Sequence, residues 1–217
     1  MIPSYPCLTD VLTDLRTRAN SWPEAEQIFQ DHVLGTVDLV DRMLDDIAAC
    51  PASARRWITD RSRETSTHFA WCLVNVAEDP FEIWLHEHKP PEDRLPGYGL
   101  TVHNHRYDFC TIMLSGGYVH ELYSATTHPM GNSIEHVQLK HRSLVGSGDV
   151  RHIDRNDFHR IVGVESSTMT AVLRSRPKSR FSMSFDLSSR VSRCHRTLED
   201  RLQVLTDGRN APAVKGT

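Results

Sequence analysis

No stretch of this 217-residue chain is apolar over anything near the roughly 20 residues that a helix needs to cross a bilayer. The opening MIPSYPCLTDVLTDLRTRAN lacks the basic-then-apolar order of a secretory leader, so a cytoplasmic protein with no membrane partner is expected. The chain also lacks any CxxC pair. Its five cysteines, Cys7, Cys50, Cys72, Cys110 and Cys194, are scattered and odd in number, which suits reduced thiols better than a disulfide framework. There is no run of basic residues, and a formal net charge of −3 spread over mixed signs offers nothing to grip nucleic acid. Solenoid-period repeats are missing too, and the length suits one main core; a monomer or homodimer is expected.

What is present divides into three texturally distinct parts. Residues 1–66 read as a helical extension, because PEAEQIFQDHV and TVDLVDRMLDDIAAC place apolar residues at helical spacing between Pro23 and Pro51. From Thr67 the pattern becomes strand-like. HFAWCLV and FEIWLHEH flank a turn at Glu78-Asp79-Pro80, and short strands are expected at 100–105, 109–114, 117–123, 134–140, 149–153, 159–164 and 168–174. Many short strands at close spacing predict a sandwich or small barrel over 67–190. Residues 191–217 read as a short C-terminal helix in RTLEDRLQVL followed by a frayed tail.

Two windows carry the chemistry. The first is Gly97-x5-His103-x-His105 with Gly116-Gly117 beyond it; the second is Gly148-x5-Asp154-x-Asn156-x2-His159. On a strand, residues i and i+2 share a face, so His103 and His105 are set to present their imidazoles side by side. Neutral imidazoles suit Fe(II), Zn, Ni or Cu, and three of them leave coordination positions open for a small-molecule substrate. His86-x-His88 has the same spacing but precedes a Pro-rich loop and lacks the leading glycine, so it is set aside as a metal site. His152 reads as a strand-end residue, and Trp84, Phe109, Phe158 and Tyr118 as core or cavity wall.

These spacings over residues 67–186 resemble the two motifs of the cupin superfamily. The resemblance implies a mainly β, double-stranded β-helix or jelly-roll barrel holding one metal on His103, His105 and His159. The glutamate usual in the first motif is replaced by Phe109 or Cys110, with Asp108 one place early, so a site of three histidines without a carboxylate is expected. HNHRYDFC and FHRI further resemble the cysteine-dioxygenase-like branch, in which a cysteine placed like Cys110 is crosslinked to a tyrosine. Arg174 stands where that tyrosine would be. The crosslink is therefore expected to be absent, with Cys110 in the cavity wall and Arg174 facing the cavity as an anion-binding or ion-paired group.

The resemblance implies a mononuclear oxygenase using Fe(II) and O₂ on a small chelating, anionic or amino-acid-like substrate. Two rivals stand beside it: a redox-neutral Zn or Ni enzyme of the isomerase, lyase or condensing kind, and a non-catalytic small-molecule-binding module.

Overall fold

The computed structural model describes residues 5–129, 132–197, 199, 200, 202, 203 and 206. The helical spacing near the N-terminus folds as α1 (Thr9–Arg18), α2 (Trp22–Gly35), α3 (Leu39–Ala49) and α4 (Ala52–Arg61). Ser21 starts α2 by accepting the Glu24 N–H at 3.4 Å, while the Glu24 carboxylate accepts the Asn20 N–H at 2.7 Å. Each bond satisfies a donor that the first helical turn or its lead-in would otherwise leave open, with Pro23 fitting the first turn because it has no N–H to lose.

Twelve strands follow: β1 (Arg63–Glu64), β2 (His68–Val74), β3 (Phe81–His88), β4 (Val102–His103), β5 (Phe109–Ser115), β6 (Gly117–Thr127), β7 (Ile134–Gly146), β8 (Val150–Ile153), β9 (Phe158–Val162), β10 (Met169–Ser175), β11 (Phe181–Phe185) and β12 (Ser192–Arg196). They form two six-stranded antiparallel sheets, β1-β2-β3-β10-β5-β8 and β12-β11-β4-β9-β6-β7. From β3 to β10 the central strands interleave as 3-10-5-8 in one sheet and 4-9-6-7 in the other, so the first lies beside the last. That order is a jelly roll. Among the described residues no helix is long and apolar enough to cross a membrane.

The first sheet is covered on both faces. Phe81, Ile83 and Leu85 of β3, Cys110 and Ile112 of β5, and Ala171 and Leu173 of β10 pack outward against Leu8, Val11, Leu15 and Phe29 of the helical layer. The alternate residues, among them Trp84, Phe109 and Val172, face the second sheet. Double burial explains why FEIWLHEH does not alternate cleanly in hydropathy. In the second sheet Val102, Phe158 and Phe185, opposite in parity to His103 and His159, form a further buried cluster with Tyr123, Ile134 and Met183, while β7 is exposed along most of its length.

Several bounds differ from those the sequence suggests. β4 has only two residues rather than spanning 100–105, because the chain leaves the ladder at Asn104 to turn around the site. β11 and β12 were not expected. RFSMSFD holds too few apolar residues to stand out, yet β11 pairs with both β4 and β12. β1 begins before residue 67 and β12 runs past residue 190, so the sheets overlap the flanking segments at both ends. In the C-terminal part, Glu199, Asp200, Leu202, Gln203 and Thr206 are helical, while the expected frayed tail lies outside the described residues. The Gly116-Gly117 turn requires its glycine: Gly116 has φ +68°, and a Cβ there would fall 2.4 Å from Thr168 Oγ1.

Candidate metal centre

The two windows meet through strand pairing. β4 lies beside β9 with His103 directly opposite His159, and His105 follows two residues after the end of β4. The second window is shaped by an Asx turn in which Asp154 Oδ1 accepts the Asn156 N–H at 2.8 Å, which delivers Phe158 and His159 to β9. One ring nitrogen from each of His103, His105 and His159 lies within 4.8 Å of the others, and His105 Nε2 is 2.9 Å from His159 Nε2. Two nitrogens on one ion with bonds of about 2.0–2.1 Å stand about 3 Å apart, so the spacing fits. This buried group could hold a metal ion. Among the described residues no carboxylate or thiol joins it.

The remaining ring nitrogens are held in place. His103 Nδ1 lies 2.9 Å from the Thr101 carbonyl, which can only accept, so the ring carries its proton there and leaves Nε2 bare. His159 Nδ1 lies 3.0 Å from His120 Nε2 on neighbouring β6. A metal on His159 Nε2 would leave the proton on Nδ1, from which it can be donated to His120 Nε2. Burial pushes His103 down to about 4, against the pull of its bond to Thr101, and drives His105 and His159 well below the usual histidine range, with neighbouring histidines adding to the effect. All three imidazoles are therefore neutral at pH 7, the state in which they donate lone pairs to a metal. The Tyr98 ring packs against His103 at 4.3 Å between centroids, and Phe109 meets His105 edge-on at 4.8 Å, limiting rotation of both imidazoles.

A chamber of about 90 Å³ lies between the sheets against the triad, and seven histidines line it. Besides the triad these are His120, His68 of β2, and His86 and His88 of β3. His68 and His86 stack at 4.3 Å between centroids, and burial lowers the pKa of both. The HxH of β3 thus faces the same chamber as the triad while remaining outside the three-nitrogen group. His68 and His120 carried no motif. Only strand parity could have found them, since His120 shares an inward face with the buried Tyr118. His152 points the other way, 3.2 Å from Glu26 of α2.

Cys110 is not in the chamber wall. It is fully buried on the outer face of β5, against the helical layer, while its neighbours Phe109 and Thr111 line the chamber. The physical reason is parity, since adjacent residues on a strand face opposite ways. Burial, reinforced by Glu26, pushes its thiol up to about 12, so it is no nucleophile.

Arg174 also differs from its expected position. Thr170 and Val172 line the chamber, but Arg174, next on the same face, lies at the barrel rim opposite Glu82. It is ion-paired with Glu82, which also accepts from Arg176 at 2.7 Å, and its guanidinium rests over Trp84 at 4.1 Å. There it borders an open groove of about 270 Å³ that reaches His105 from outside and carries Arg63, Arg106 and Arg196. Asp108, the carboxylate nearest the first motif, accepts the Arg155 N–H at 2.9 Å and pairs with Lys178, away from the triad.

No protein-family model matches the chain, and no curated protein does. Solved structures do. Oxalate decarboxylase from Bacillus subtilis is 16% identical over 70% of this chain and 35% of that one, with a TM-score of 0.38. A vicilin from Solanum melongena is 11% identical over 58% of this chain and 31% of that one (TM-score 0.36). KdgF from Halomonas sp. is 10% identical over 52% and 85% (TM-score 0.34). The chain thus spans about a third of the length of the oxalate decarboxylase it matches. It is the chain's own strand order that defines the jelly roll.

Proposed function

We propose that the chain is a mononuclear metal-dependent enzyme of the cupin kind, holding one first-row divalent ion on His103, His105 and His159 and acting on a small anionic molecule, with Fe(II) as the ion and O₂ as co-substrate. The observation that carries this reading is the convergence of three neutral imidazole nitrogens at the wall of an inner chamber. Such an ion would supply a Lewis acid for a chelating substrate and, as iron, a site for O₂.

The chain's own residues supply the rest. Thr101 fixes the tautomer of His103, so that ring presents a lone pair without a rotation or proton loss, and His120 offers an acceptor for the Nδ1–H that His159 would carry with its Nε2 on a metal. Three neutral ligands cancel none of a divalent charge, and no Asp or Glu lines the chamber, so negative charge there has to come with the substrate. The outer groove points the same way, since Arg63, Arg106 and Arg196 border it and have no ion-pair partner among the described residues. Their field would draw an anion towards His105. With Cys110 facing the helices and Arg174 bound to Glu82, support for a specifically thiol-dioxygenase-like chemistry is reduced to the triad itself.

A redox-neutral Zn or Ni enzyme fits the triad equally well, and four further neutral rings, His68, His86, His88 and His120, line the same chamber as hydrogen-bonding groups for a substrate rather than as bases, since burial holds their pKa values far below 7. Metal analysis of protein purified without added metal, with oxygen-electrode assays on a panel of small carboxylic and amino acids, separates the readings. Iron with substrate-dependent O₂ uptake supports the oxygenase. Tightly held Zn or Ni without O₂ uptake replaces it by the redox-neutral enzyme, and binding without turnover leaves a small-molecule-binding module.

A further inference from the structure

The loop from Lys89 to Thr101 joins the two sheets across one end of the chamber. It is tied to the turn before β2 by Lys89 N–H to Thr67 O at 2.9 Å and Leu95 N–H to Ser66 O at 3.0 Å. Gly99 lets it settle, since a Cβ there would lie 2.7 Å from Thr67 Oγ1. From this loop Arg94 projects inward. Its Nε donates to the Lys89 carbonyl at 2.9 Å, which fixes the guanidinium plane, but its Nη2 is buried with no hydrogen-bond partner, and Arg94 has no ion pair among the described residues. The guanidinium lines the chamber with His68, His88 and His103.

Arg94 as a whole is half-buried, but its enclosed Nη2 has neither a hydrogen-bond partner nor a counter-charge, which is costly, and a protein usually supplies an Asp or Glu beside such a group. Here no acidic residue lines the chamber, and its histidines are neutral. The missing partner is therefore an anion from outside. A planar guanidinium with one edge tethered and the other open matches the two oxygens of a carboxylate. The 90 Å³ of space admits only a small one. We infer that Arg94 is a carboxylate-binding residue at the end of the chamber formed by His68 and His88, and that it anchors a small monocarboxylate whose other end reaches the triad.

The second half of that inference rests on the metal reading above; the anchoring itself does not. Both are separated by titrating acetate, with acetamide as its uncharged counterpart, into the metal-free full-length protein by calorimetry. Acetate is expected to bind wild type, and Arg94→Met to weaken it by about 10- to 100-fold, the scale for losing a hydrogen bond to a charged group, while metal content stays unchanged. His103→Ala is expected to do the reverse, losing metal while the metal-free chain still binds acetate. Should Arg94→Met fold poorly, the guanidinium resonances of wild type provide the second readout: one arginine Nε signal should move with acetate and stay still with acetamide. Equal binding of acetate and acetamide, unchanged acetate affinity in Arg94→Met, or no arginine signal that follows acetate would overturn the assignment. Full metal retention by His103→Ala would instead sink the metal reading and leave Arg94 standing.

Discussion

The two faces of the first sheet differ in kind, although they are built from the same strands. The face toward the helices carries Leu73, Ile83, Cys110, Ile112 and Leu173 and is mainly apolar, with His152 meeting Glu26 of α2 at its edge. The face toward the second sheet carries His68, His86, Thr111 and Thr170 and meets the triad across the chamber. A one-residue step along β5 separates an inert buried thiol from a chamber-lining hydroxyl. Chemistry is confined to one parity of each strand, and the opposite parity supplies stability.

Four experiments break or sharpen that division. The largest effect belongs to His103→Ala, which removes one of three ligands and should abolish stoichiometric metal binding, read by elemental analysis of purified protein. Acid comes next. Burial pushes His68 down to about 3 and His88 down to about 4, so the folded metal-free protein refuses protons that the unfolded chain accepts once the pH drops below about 6.5. Stability present above that pH should then be lost progressively towards pH 4, on the order of 2 kcal/mol for each of the two rings by pH 5 in urea titrations. A flat profile would mean that these rings are already hydrated and that burial does not set their protonation.

His120→Phe keeps the ring volume and removes the acceptor for His159, so metal affinity should fall about 10- to 100-fold with the fold intact. The smallest effect is expected from Cys110→Ala, about 1 kcal/mol or less in stability and none in metal content, because the side chain touches only the helical side. A change in metal binding there would show that the two faces are coupled.

The triad was legible because its spacing is local: a glycine, an HxH, and a third histidine after an Asx turn. The helical layer was legible from its periodicity. Cys110 and Arg174 were misplaced for different reasons, one of facing and one of depth, neither of which resemblance to a motif reports. Counting by two from His105 places Phe109 and Thr111 on the inner face and Cys110 on the outer, as observed. For Arg174 parity was right and depth was not, because the ladder to β3 sets it beside Glu82 at the rim. Arg94, His68 and His120 lie on three separate segments, and only the facing of the two sheets brings them to one chamber. That is long-range information which no window of the sequence holds.

β3 has a neighbouring strand on each side and a covered surface above and below, whereas β7 is an edge strand paired only with β6 and mostly open to water. Free energies of local opening follow such differences in cover. Amide hydrogens of β3 and β10 should therefore exchange with solvent only on global unfolding, and those of β7 through small excursions of the β6–β7 hairpin. His120 rides on that hairpin and His103 does not. The brace behind His159 thus sits one strand in from the open edge, so release of β7 would leave β6 as the edge strand and the brace held by the β6–β9 ladder alone.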